Sequence, residues 1–579
     1  MHSRRQILKG GLGLFAYGAA GSAFAAAGSH AERPRLSPRQ SRMIDSPLKA
    51  SRPLAATAYD PSPRIIDGFR FRNWFEGDSF NDGLNIPFHS QENDFPGGEP
   101  PAPSETIDVA VVGGGISGLT TAHLLREYNP VVFELHTKFG GNAQGATIEG
   151  AEFTFGSAYV ITPDPGGSLD SIYRDLGLDK VVRVDHDPAP VVIDGEIHPD
   201  IWAGIGVPAG DIPAYEAYRA LVLRMANVDY PDVPFAEPWM RALDRLTFRE
   251  HIEQEVGLPI PASLAAAIQA YCYSSFAGGW EEISAASGWN FLAAEEFGRW
   301  VFPGGNAWMA DALWQRIRET DETDKAHAPH LRPGCRVVDV RVRPDGSTQV
   351  TWKTPEGEFR SLLARRVVMA CPKHVCRNVI HEFEQRDRSK FNAAQLLTRS
   401  YVLANVIVDR PIPREFYDLF TLGDPSSFPM SSDDATNYWR YTDVLDGSFA
   451  PGPNGNLLPT RPSILSLFWP LPYDTARFDL VLDDPIGKFG AALVPQLRES
   501  LGLVGLPESA VREIRFARWG HALPLAMPGF IADGGPEELI RPFEGSVYFV
   551  HQDNWALPAV ENSLLDAVNA ADAIAADLG

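Results

Sequence analysis

The stretch Ile107–Leu125, I-D-V-A-V-V-G-G-G-I-S-G-L-T-T-A-H-L-L, decides the fold. An apolar strand runs directly into Gly113, Gly115 and Gly118, which have the spacing G-x-G-x-x-G, and a helical pattern follows. The first glycine permits a tight turn, the second lets a pyrophosphate approach the backbone, and the third lets the helix pack against the strand. The N-terminus of that helix would then face the phosphates with its positive dipole end.

A second short strand extends this pattern into a dinucleotide-binding unit. The segment Pro130–Phe133 is apolar and ends in Glu134, about twenty residues after Gly113, where a ribose-binding carboxylate is expected. A lone glycine-rich turn would not be followed by a second strand and an acid in this register. The sequence therefore predicts an α/β protein with a Rossmann-like domain that binds a dinucleotide.

Composition excludes several classes of protein. The chain has 579 residues, of which 44% are hydrophobic and 22% charged, so it has the composition of a globular protein with a large core. Its formal net charge of −23 disfavours nucleic-acid binding, which needs basic surface to neutralise phosphates. Four cysteines are too few for a scaffold built from disulfides.

The N-terminus has the pattern of an export signal. Arg4 and Arg5 are followed by an apolar run rich in glycine and alanine, which ends in small residues near Ala25 and Ala27. This layout predicts a twin-arginine signal peptide over residues 1–27 and a periplasmic or extracellular location, with the translocase as a transient partner. The alternative is an N-terminal membrane anchor, which the glycines of this segment disfavour.

The rest of the chain alternates strands and helices around a central helical block. Residues 28–104 are rich in proline, serine and glycine and predict an irregular arm that wraps the body through aromatic residues at 69, 71, 74 and 75. Helical spacing covers residues 213–255 and 262–300. Apolar residues that alternate with polar ones, or that form a continuous run, predict strands at Cys335–Arg343, Thr348–Lys353, Arg366–Cys371, Tyr401–Val408, Ser463–Trp469 and Ser546–His551. A last helix is predicted at Ser563–Leu578.

The segment after Glu134 points to a family. It reads E-L-H-T-K-F-G-G-N, and with it the chain resembles the flavin-containing amine oxidase and dehydrogenase superfamily. Further similar segments are F-P-G-G-N-A at 302–307, Gly334–Val338, R-R-V-V-M-A-C-P at 365–372, R-W-G-H-A-L-P at 518–524 and V-Y-F-V-H-Q-D at 547–553. The long arm, F-P-G-G-N-A and R-W-G-H are most similar to a spermidine-dehydrogenase-like branch.

The resemblance implies how the domains are arranged. It predicts a Rossmann-like FAD-binding domain of the glutathione-reductase type, interleaved with an α+β substrate domain. The FAD domain would be assembled from residues 105–165, 300–375 and 511–579. The substrate domain would be assembled from residues 166–299, which are largely helical, and residues 376–510.

The resemblance also implies a non-covalent FAD, because no cysteine lies within residues 510–579 to bond the flavin. Asn142 stands where the family usually has an arginine after the two glycines, so the phosphate contact of that arginine would be lost or would pass to Gln144 or to a backbone amide. The motif and the resemblance together predict cofactor contacts at Gly113, Gly115, Ile116, Ser117, Gly118, Glu134, Gly140, Gly141, Asn142, Gln144, Gly156, Ser157, Val337, Gln552, Asp553 and Asn562.

The implied activity is the oxidation of a small-molecule amine. A hydride would pass from the carbon next to nitrogen to flavin N5, and the imine would then be hydrolysed. Trp519 could form an aromatic wall, His521 could accept a proton or bind the amine, and Tyr159 could lie near the ring; each is also compatible with a structural role. The chain has no lysine between Lys390 and Lys488, where many amine oxidases have one. The electron acceptor therefore stays open between oxygen and a quinone or cytochrome.

Two other features have simpler interpretations. Glu281, Glu282, Glu295 and Glu296 predict a solvated acidic face, with the binding of a distal cationic group as the alternative. The spacing of Cys371 and Cys376 is not that of a metal-binding motif, so we expect no metal site. The two residues are predicted to be core cysteines or to form a chance disulfide. Other functions compatible with the scaffold are a desaturase or isomerase of an apolar substrate, and a flavin-binding export or assembly factor without turnover.

Overall fold

The computed structural model describes residues 62–78, 95, 98–226, 238–323, 330–423, 440–450, 462–473, 476–481 and 484–579. The export signal predicted for residues 1–27 lies outside these residues. Among the described helices, none is both long enough and apolar enough to span a membrane.

The described strands, in chain order, are β1 Arg64–Ile66, β2 Phe69–Gly77, β3 Thr106–Val112, β4 Val131–Phe133, β5 Gly145–Ile148, β6 Ala151–Thr154, β7 Tyr159–Ile161, β8 Arg183–Asp185, β9 Val191–Ile193, β10 Glu196–His198, β11 Arg299–Val301, β12 Leu331–Arg332, β13 Arg336–Val342, β14 Thr348–Lys353, β15 Phe359–Met369, β16 Thr398–Val408, β17 Asp418–Gly423, β18 Asp443–Asp446, β19 Ser463–Leu471, β20 Val511–Pro524 and β21 Val547–Phe549. All the strands predicted from the sequence are present, with ends that differ by a few residues.

The described helices, in chain order, are α1 Ile116–Leu124, α2 Ser168–Asp175, α3 Ile212–Met225, α4 Pro238–Leu243, α5 Phe248–Val256, α6 Ala262–Phe276, α7 Ala285–Leu292, α8 Ala307–Thr323, α9 Lys373–Val379, α10 Phe383–Arg386, α11 Arg388–Ala393, α12 Ala476–Asp479, α13 Pro485–Leu503, α14 Gly535–Ile540 and α15 Val560–Leu578. Helices α3–α7 form the predicted central block. Helix α5 begins with a capping box, in which the side chains of Thr247 and Glu250 satisfy each other's backbone amides.

A seven-stranded sheet forms the core of the Rossmann-like domain, as predicted. Its order is β12-β4-β3-β15-β14-β13, and β21 also pairs with β15. Strand β3 is parallel to both β4 and β15, so their carboxyl ends meet at one edge. Alternate side chains of β3 point to opposite faces: Val109 and Val111 pack with α1, α8 and α15, whereas Ala110 and Val112 pack with α9 and α14. Helices therefore cover both faces.

A nine-stranded sheet belongs to the second domain and is mixed, with most of its pairs antiparallel. Its order is β1-β2-β20-β16-β19-β18-β17-β9-β10. One face packs against α13 through a large apolar cluster that includes Phe489, Leu493 and Trp469. Part of the other face, with Tyr401, Leu403 and Trp519, turns toward the Rossmann-like domain. A cavity separates the two sheets there.

Two predicted boundaries differ from the structure. Strand β20 lies in the nine-stranded sheet, so the third section of the FAD domain begins after it and not at residue 511. Helices α9–α11 follow residue 372, and Val379 and Phe383 pack into the core of the seven-stranded sheet, so the second section extends past residue 375. The first difference arises because β20 is one long strand that pairs with β16, and the second because the short helices after residue 372 bury their apolar residues on the seven-stranded sheet.

The arm is more regular than predicted. Residues 64–77 form β1 and β2, and β2 runs parallel to β20 at the edge of the nine-stranded sheet. Phe69 and Phe71 are buried, and Phe71 and Phe75 each stack on Phe516. The predicted aromatic packing is confirmed for this part of the arm, while the prediction of irregular structure is wrong there.

Candidate active site

A cavity of about 440 Å³ lies between the two sheets. We call the side formed by the Rossmann-like domain the cofactor wall; it includes Gly113, Gly115–Ser117, Glu134, Gly140–Ala143, Arg336, Val337, Ala370–Pro372 and His374. We call the opposite side the substrate wall; it includes Tyr271, Ser274, Phe291, Glu295, Tyr401, Leu403, Asp418, Phe420, Asp443, Leu445 and Phe468. Residues near 155–161, 519–523, 551–552 and 558–563 lie at the junction between the walls.

The cofactor wall is a surface of exposed backbone built by glycines. Gly113 has φ +113°, a conformation that L side chains rarely adopt, and a Cβ there would overlap the carbonyl of Ala370. A Cβ on Gly115, which lines the cavity, would meet only backbone atoms of Gly140 and Gly141, at 3.7 Å or more. The Gly140 amide donates to the Gly114 carbonyl at 2.8 Å, which brings the two glycine segments together. This cradle leaves room for a pyrophosphate at the N-terminus of α1.

Glu134 is held at the end of β4 by backbone amides. Its Oε2 accepts from the Gly114 amide at 2.7 Å and its Oε1 from the His136 amide at 2.9 Å. Burial raises the pKa of Glu134, and these two amides oppose that rise. The fixed carboxylate lines the cavity, where it can accept hydrogen bonds from ribose hydroxyls.

Twelve of the sixteen predicted cofactor residues line the cavity: Gly113, Gly115, Ile116, Ser117, Glu134, Gly140, Gly141, Asn142, Gly156, Ser157, Val337 and Gln552. Gly118 serves packing instead, because a Cβ there would overlap the Gly113 carbonyl oxygen. The side chain of Gln144 lies behind Gly140. The lining residues extend from Val337 to the junction, so the cavity is elongated; the predicted adenine contact at Val337 stays a prediction.

Asp553 and Asn562 are the other two predicted cofactor residues that do not line the cavity. Asp553 is buried behind Gln552, and its Oδ2 accepts from the Lys373 amide at 2.9 Å. Although burial opposes ionisation, His551 and this amide hold the pKa of Asp553 well below its ordinary value, so it is a structural anion. Asn562 is fully buried at the start of α15, and its amide has no hydrogen-bond partner among the described residues. An unsatisfied buried amide beside cavity-lining Glu561 and Ser563 is compatible with a polar cofactor at this helix end.

Trp519 supports the loop at the junction. Its Nε1 donates to the Phe155 carbonyl at 2.7 Å, and a Cβ on Gly156 would lie 3.3 Å from the same nitrogen. The indole is 6% exposed and lines the cavity. Trp519 therefore forms the predicted aromatic wall and also fixes the backbone of residues 155–157.

His521 lies on the same strand, two residues further on, and also lines the cavity. Its Nδ1 is 2.7 Å from Thr398 Oγ1 and 2.9 Å from a guanidinium nitrogen of Arg477. The same guanidinium nitrogen lies 3.3 Å from His521 Nε2, so both ring nitrogens are close to Arg477. The ring stacks on His374 with centroids 3.9 Å apart. Thr398, Arg477 and His374 therefore hold His521 in place at the cavity surface.

Tyr159 joins the junction to the substrate wall. Its hydroxyl donates to Glu295 Oε1 at 2.9 Å, and the Tyr271 hydroxyl donates to the same oxygen at 3.3 Å. Burial raises the pKa of Tyr159 well above its ordinary value, so the phenol keeps its proton and remains a donor. Tyr159 thus positions a carboxylate of the substrate wall.

The substrate wall contains acids that the sequence interpretation missed. Asp418 and Asp443 begin β17 and β18, are 4% and 2% exposed, and line the cavity. Burial and the neighbouring Asp443 raise the pKa of Asp418, and burial raises the pKa of Asp443 to about 7. The signal that could have identified them is a single acid at the start of an apolar strand, in Y-D-L-F and T-D-V-L.

The prediction of a solvated acidic face for four glutamates is wrong. Glu282 pairs with Arg399 at 2.8 Å and Glu296 with Arg219. Glu295 lines the cavity, and burial raises its pKa while Arg299 opposes the rise. Burial raises the pKa of Glu281 to about 7. The error arose because helical spacing alone does not show which face of a helix a second domain covers.

The cysteines are free thiols, as the core interpretation predicted. Cys371 and Cys376 are buried, with their sulfurs 3.8 Å apart. Within the described ranges, no group of three or more histidine, cysteine, aspartate or glutamate side chains could hold a metal ion.

Comparison with known proteins relates this site to a family. Residues 111–176 match the NAD(P)-binding Rossmann-like domain family. Oxidoreductase PigB of Serratia sp. is 21% identical over 562 residues, which cover 86% of this chain and 78% of PigB. The flavin-containing amine oxidase A of Sus scrofa is 29% identical over 157 residues, only 26% of this chain and 28% of that enzyme.

Solved structures share the fold over most of the chain. Cyclohexylamine oxidase from Brevibacterium oxydans superimposes with a TM-score of 0.60 at 17% identity, covering 82% of this chain and 99% of that enzyme. A putative protoporphyrinogen oxidase from Exiguobacterium sp. superimposes with a TM-score of 0.55 at 15% identity, covering 82% of this chain and all of that one (100%). The chain therefore has a Rossmann-like domain, is similar over part of its sequence to flavin-containing amine oxidases, and shares the two-domain fold of cyclohexylamine oxidase over most of its length.

Proposed function

We propose that the protein oxidises an amine and that the substrate enters from the substrate wall to meet the flavin end of the cofactor at the junction. The observation that carries this proposal is the composition of that wall, where buried carboxylates alternate with tyrosines and phenylalanines. Aromatic faces and carboxylates are the groups that attract an ammonium ion out of water. A wall of this kind favours a cationic substrate over an apolar one.

FAD, when bound, supplies the acceptor for two electrons and a proton, carried as a hydride from the carbon next to nitrogen. The residues of the chain contribute positioning and water exclusion. Trp519 fixes Phe155–Ser157, and Tyr159 orients Glu295. His521 presents a ring that can accept a proton or hydrogen-bond the substrate nitrogen, since an amine must be neutral to form an imine.

The proposal also covers the branch of the family, the location of the protein and its electron acceptor. The arm, F-P-G-G-N-A at 302–307 and R-W-G-H at 518–521 support a spermidine-dehydrogenase-like branch. The twin-arginine pattern of residues 1–27 supports export to the periplasm or beyond. No lysine is among the described residues that line the cavity, which supports a quinone or cytochrome as acceptor alongside oxygen.

The test is anaerobic mixing of the FAD-loaded protein with monoamines, diamines and amino acids, followed by flavin absorbance. Amine oxidation predicts loss of the oxidised flavin band with at least one amine. Air or a soluble quinone is then admitted, and whichever restores the band faster identifies the class of acceptor. The Gly115→Ala variant, expected to lack FAD, controls for absorbance changes that do not come from the site.

A second candidate is the dehydrogenation of an apolar carbon–carbon bond. Phe155, Leu403 and Phe468 provide an apolar surface on which such a substrate could lie. Bleaching by a saturated or cyclic apolar substrate, with none by any amine, would support this candidate. A flavin that no substrate of either kind reduces would support a binding or assembly role without turnover.

A further inference from the structure

Two thiols meet at the cofactor wall, where no step of the proposed function uses them. Cys371 follows β15 and lines the cavity, whereas Cys376 lies in α9, is fully buried and does not line the cavity. Their sulfurs are 3.8 Å apart, a distance at which one thiol can donate a hydrogen bond to the other. A disulfide needs an S–S distance of about 2 Å, so a small movement of the two side chains toward each other would close it.

The surroundings of the pair favour a thiolate. The Lys373 side chain is buried beside the thiols, and its Nζ has no hydrogen-bond partner among the described residues. Burial opposes the ionisation of Cys376, but the hydrogen bond from Cys371 and the charge of Lys373 lower its pKa. Lys390 adds to this effect and Asp553 opposes it. The pair can therefore give up one of its two protons more easily than an isolated buried thiol.

The remaining proton decides which sulfur carries the charge. The hydrogen bond to Cys376 and burial raise the pKa of Cys371, so the proton rests on Cys371. Because the two sulfurs are hydrogen-bonded, a shift of that proton to Cys376 places the thiolate on Cys371, at the cavity surface. The thiolate is the reactive form of cysteine, and from this position it meets molecules in the cavity.

The other two cysteines of the chain lack this arrangement. Cys272 is buried in α6, and Cys335 lines the cavity near Val337. Burial raises the pKa of both thiols, and neither is hydrogen-bonded to a second thiol among the described residues. Of the four cysteines, the pair at 371 and 376 thus combines access from the cavity with a partner thiol.

We propose that Cys371 and Cys376 are a redox-active pair that reduces a peroxide in the cavity and closes to a disulfide. The Cys371 thiolate attacks one oxygen of hydrogen peroxide and the O–O bond breaks. The departing hydroxide takes up a proton, and Cys371 becomes a sulfenic acid. Cys376 then attacks the Cys371 sulfur, the S–O bond breaks, and water leaves as the disulfide forms. Two thiols are oxidised, and one hydrogen peroxide is reduced to two waters.

This inference is independent of the substrate of the flavin. Peroxide would arise in the cavity if oxygen reoxidised the flavin, and it could also enter from solution. In either case Cys371 is the member of the pair that the peroxide reaches.

Thiol mapping on the FAD-loaded protein tests the pair in the absence of any amine. The protein is first reduced with dithiothreitol and freed of it, then treated with hydrogen peroxide for increasing times, and catalase stops the reaction. Remaining thiols are alkylated after unfolding and mapped by mass spectrometry. Cys371 and Cys376 should be lost together, as one disulfide-linked product, about tenfold or more faster than Cys335. Dithiothreitol should restore both thiols.

Variants separate the roles of the two thiols. In Cys376→Ser, oxidation should stop at a sulfenic acid on Cys371, which dimedone traps. In Cys371→Ser, Cys376 should stay reduced, because it does not line the cavity. Cys272→Ala, in α6, is the matched control and should form the disulfide at the wild-type rate. An unchanged flavin spectrum in each variant shows that the cofactor wall is intact.

Two results would overturn the inference. One is oxidation of Cys371 and Cys335 at equal rates, and the other is loss of Cys371 without a disulfide to Cys376 in the wild-type protein. Since no amine is present, neither result bears on the proposed amine oxidation. Conversely, a flavin that no amine bleaches would refute the proposed function and leave the mapped disulfide in place.

Discussion

The cofactor wall and the substrate wall are built from different chemical groups. The cofactor wall presents backbone amides at glycines, where side chains would be in the way, and it suits an anion. The substrate wall presents carboxylates and aromatic rings from β16–β18, α6 and the turn Ala293–Phe297, and it suits a cation. A wall made of backbone depends on local conformation, whereas a wall made of side chains depends on how distant elements are brought together.

The most damaging change to the cofactor wall should be Gly118→Ala. The added methyl group would overlap the Gly113 carbonyl oxygen and lie 3.1 Å from Val111 Cγ1, so α1 could not pack on β3. We expect the free energy of unfolding to fall by about 3 kcal/mol or more, with loss of FAD. Denaturant unfolding followed by circular dichroism measures this.

Gly502 provides the matched control for that substitution. It lies near the end of α13, where an added Cβ meets nothing within 4 Å. Gly502→Ala should therefore raise the free energy of unfolding slightly, by about 0.5 kcal/mol, through helix propensity alone. Equal losses at Gly118 and Gly502 would mean that the packing argument is wrong.

Gly115→Ala should separate folding from cofactor binding. The methyl group meets only backbone atoms of Gly140 and Gly141, all at ordinary contact distance, so the protein should fold with little loss of stability. It would occupy the approach to the pyrophosphate, and purified protein should contain little FAD. Absorbance at the flavin band relative to protein gives the occupancy. A fully yellow variant would contradict the placement of the pyrophosphate at this glycine.

The stability of the protein should depend on pH through Asp443 of the substrate wall. The pKa of Asp443 is about 7 in the folded protein and lies at its ordinary, much lower value in the unfolded chain, so the folded state keeps a proton that the unfolded state loses. The free energy of unfolding should therefore fall as pH rises from about 4 to about 7, and then level off.

Asp443→Asn should remove that decline. We expect the variant to be more stable than the wild type by about 1 to 3 kcal/mol at pH 8 and to match it near pH 4, because the amide never ionises. The groups around Asp443 include Asp418, Arg299 and Tyr401, which stay in place. Thermal unfolding across this pH range measures the difference in stability. If the stability of both proteins falls in parallel as the pH rises, the raised pKa does not belong to Asp443.

The smallest expected effect concerns the junction between the walls. Trp519→Phe removes one buried hydrogen bond, from Nε1 to the Phe155 carbonyl, and keeps most of the aromatic surface. We expect a loss of about 1 kcal/mol in the free energy of unfolding, and looser packing of Gly156 against the flavin end of the cofactor. A change in flavin fluorescence reports the second effect. Val402→Ala, on the opposite face of β16, should leave that fluorescence unchanged.

The contrast between the walls also explains what the sequence could predict. Gly113, Gly115 and Glu134 are close in the chain, and their spacing alone predicts strand, turn and helix. Asp418 and Asp443 meet because β17 and β18 pair, and no local pattern specifies which strand lies beside which. Asp553 lies next to Gln552, but strand-end position did not reveal which of the two faces the cavity.

Strand β2, which lies between β1 and β20, ties two distant parts of the chain together at the cavity. Arg518 donates to the carbonyl of Asp78, which is 440 residues earlier, and the Gly520 amide donates to the Asp78 carboxylate. Asp78 also lines the cavity. This corner of the cavity can therefore form only after both β2 and β20 have been synthesised.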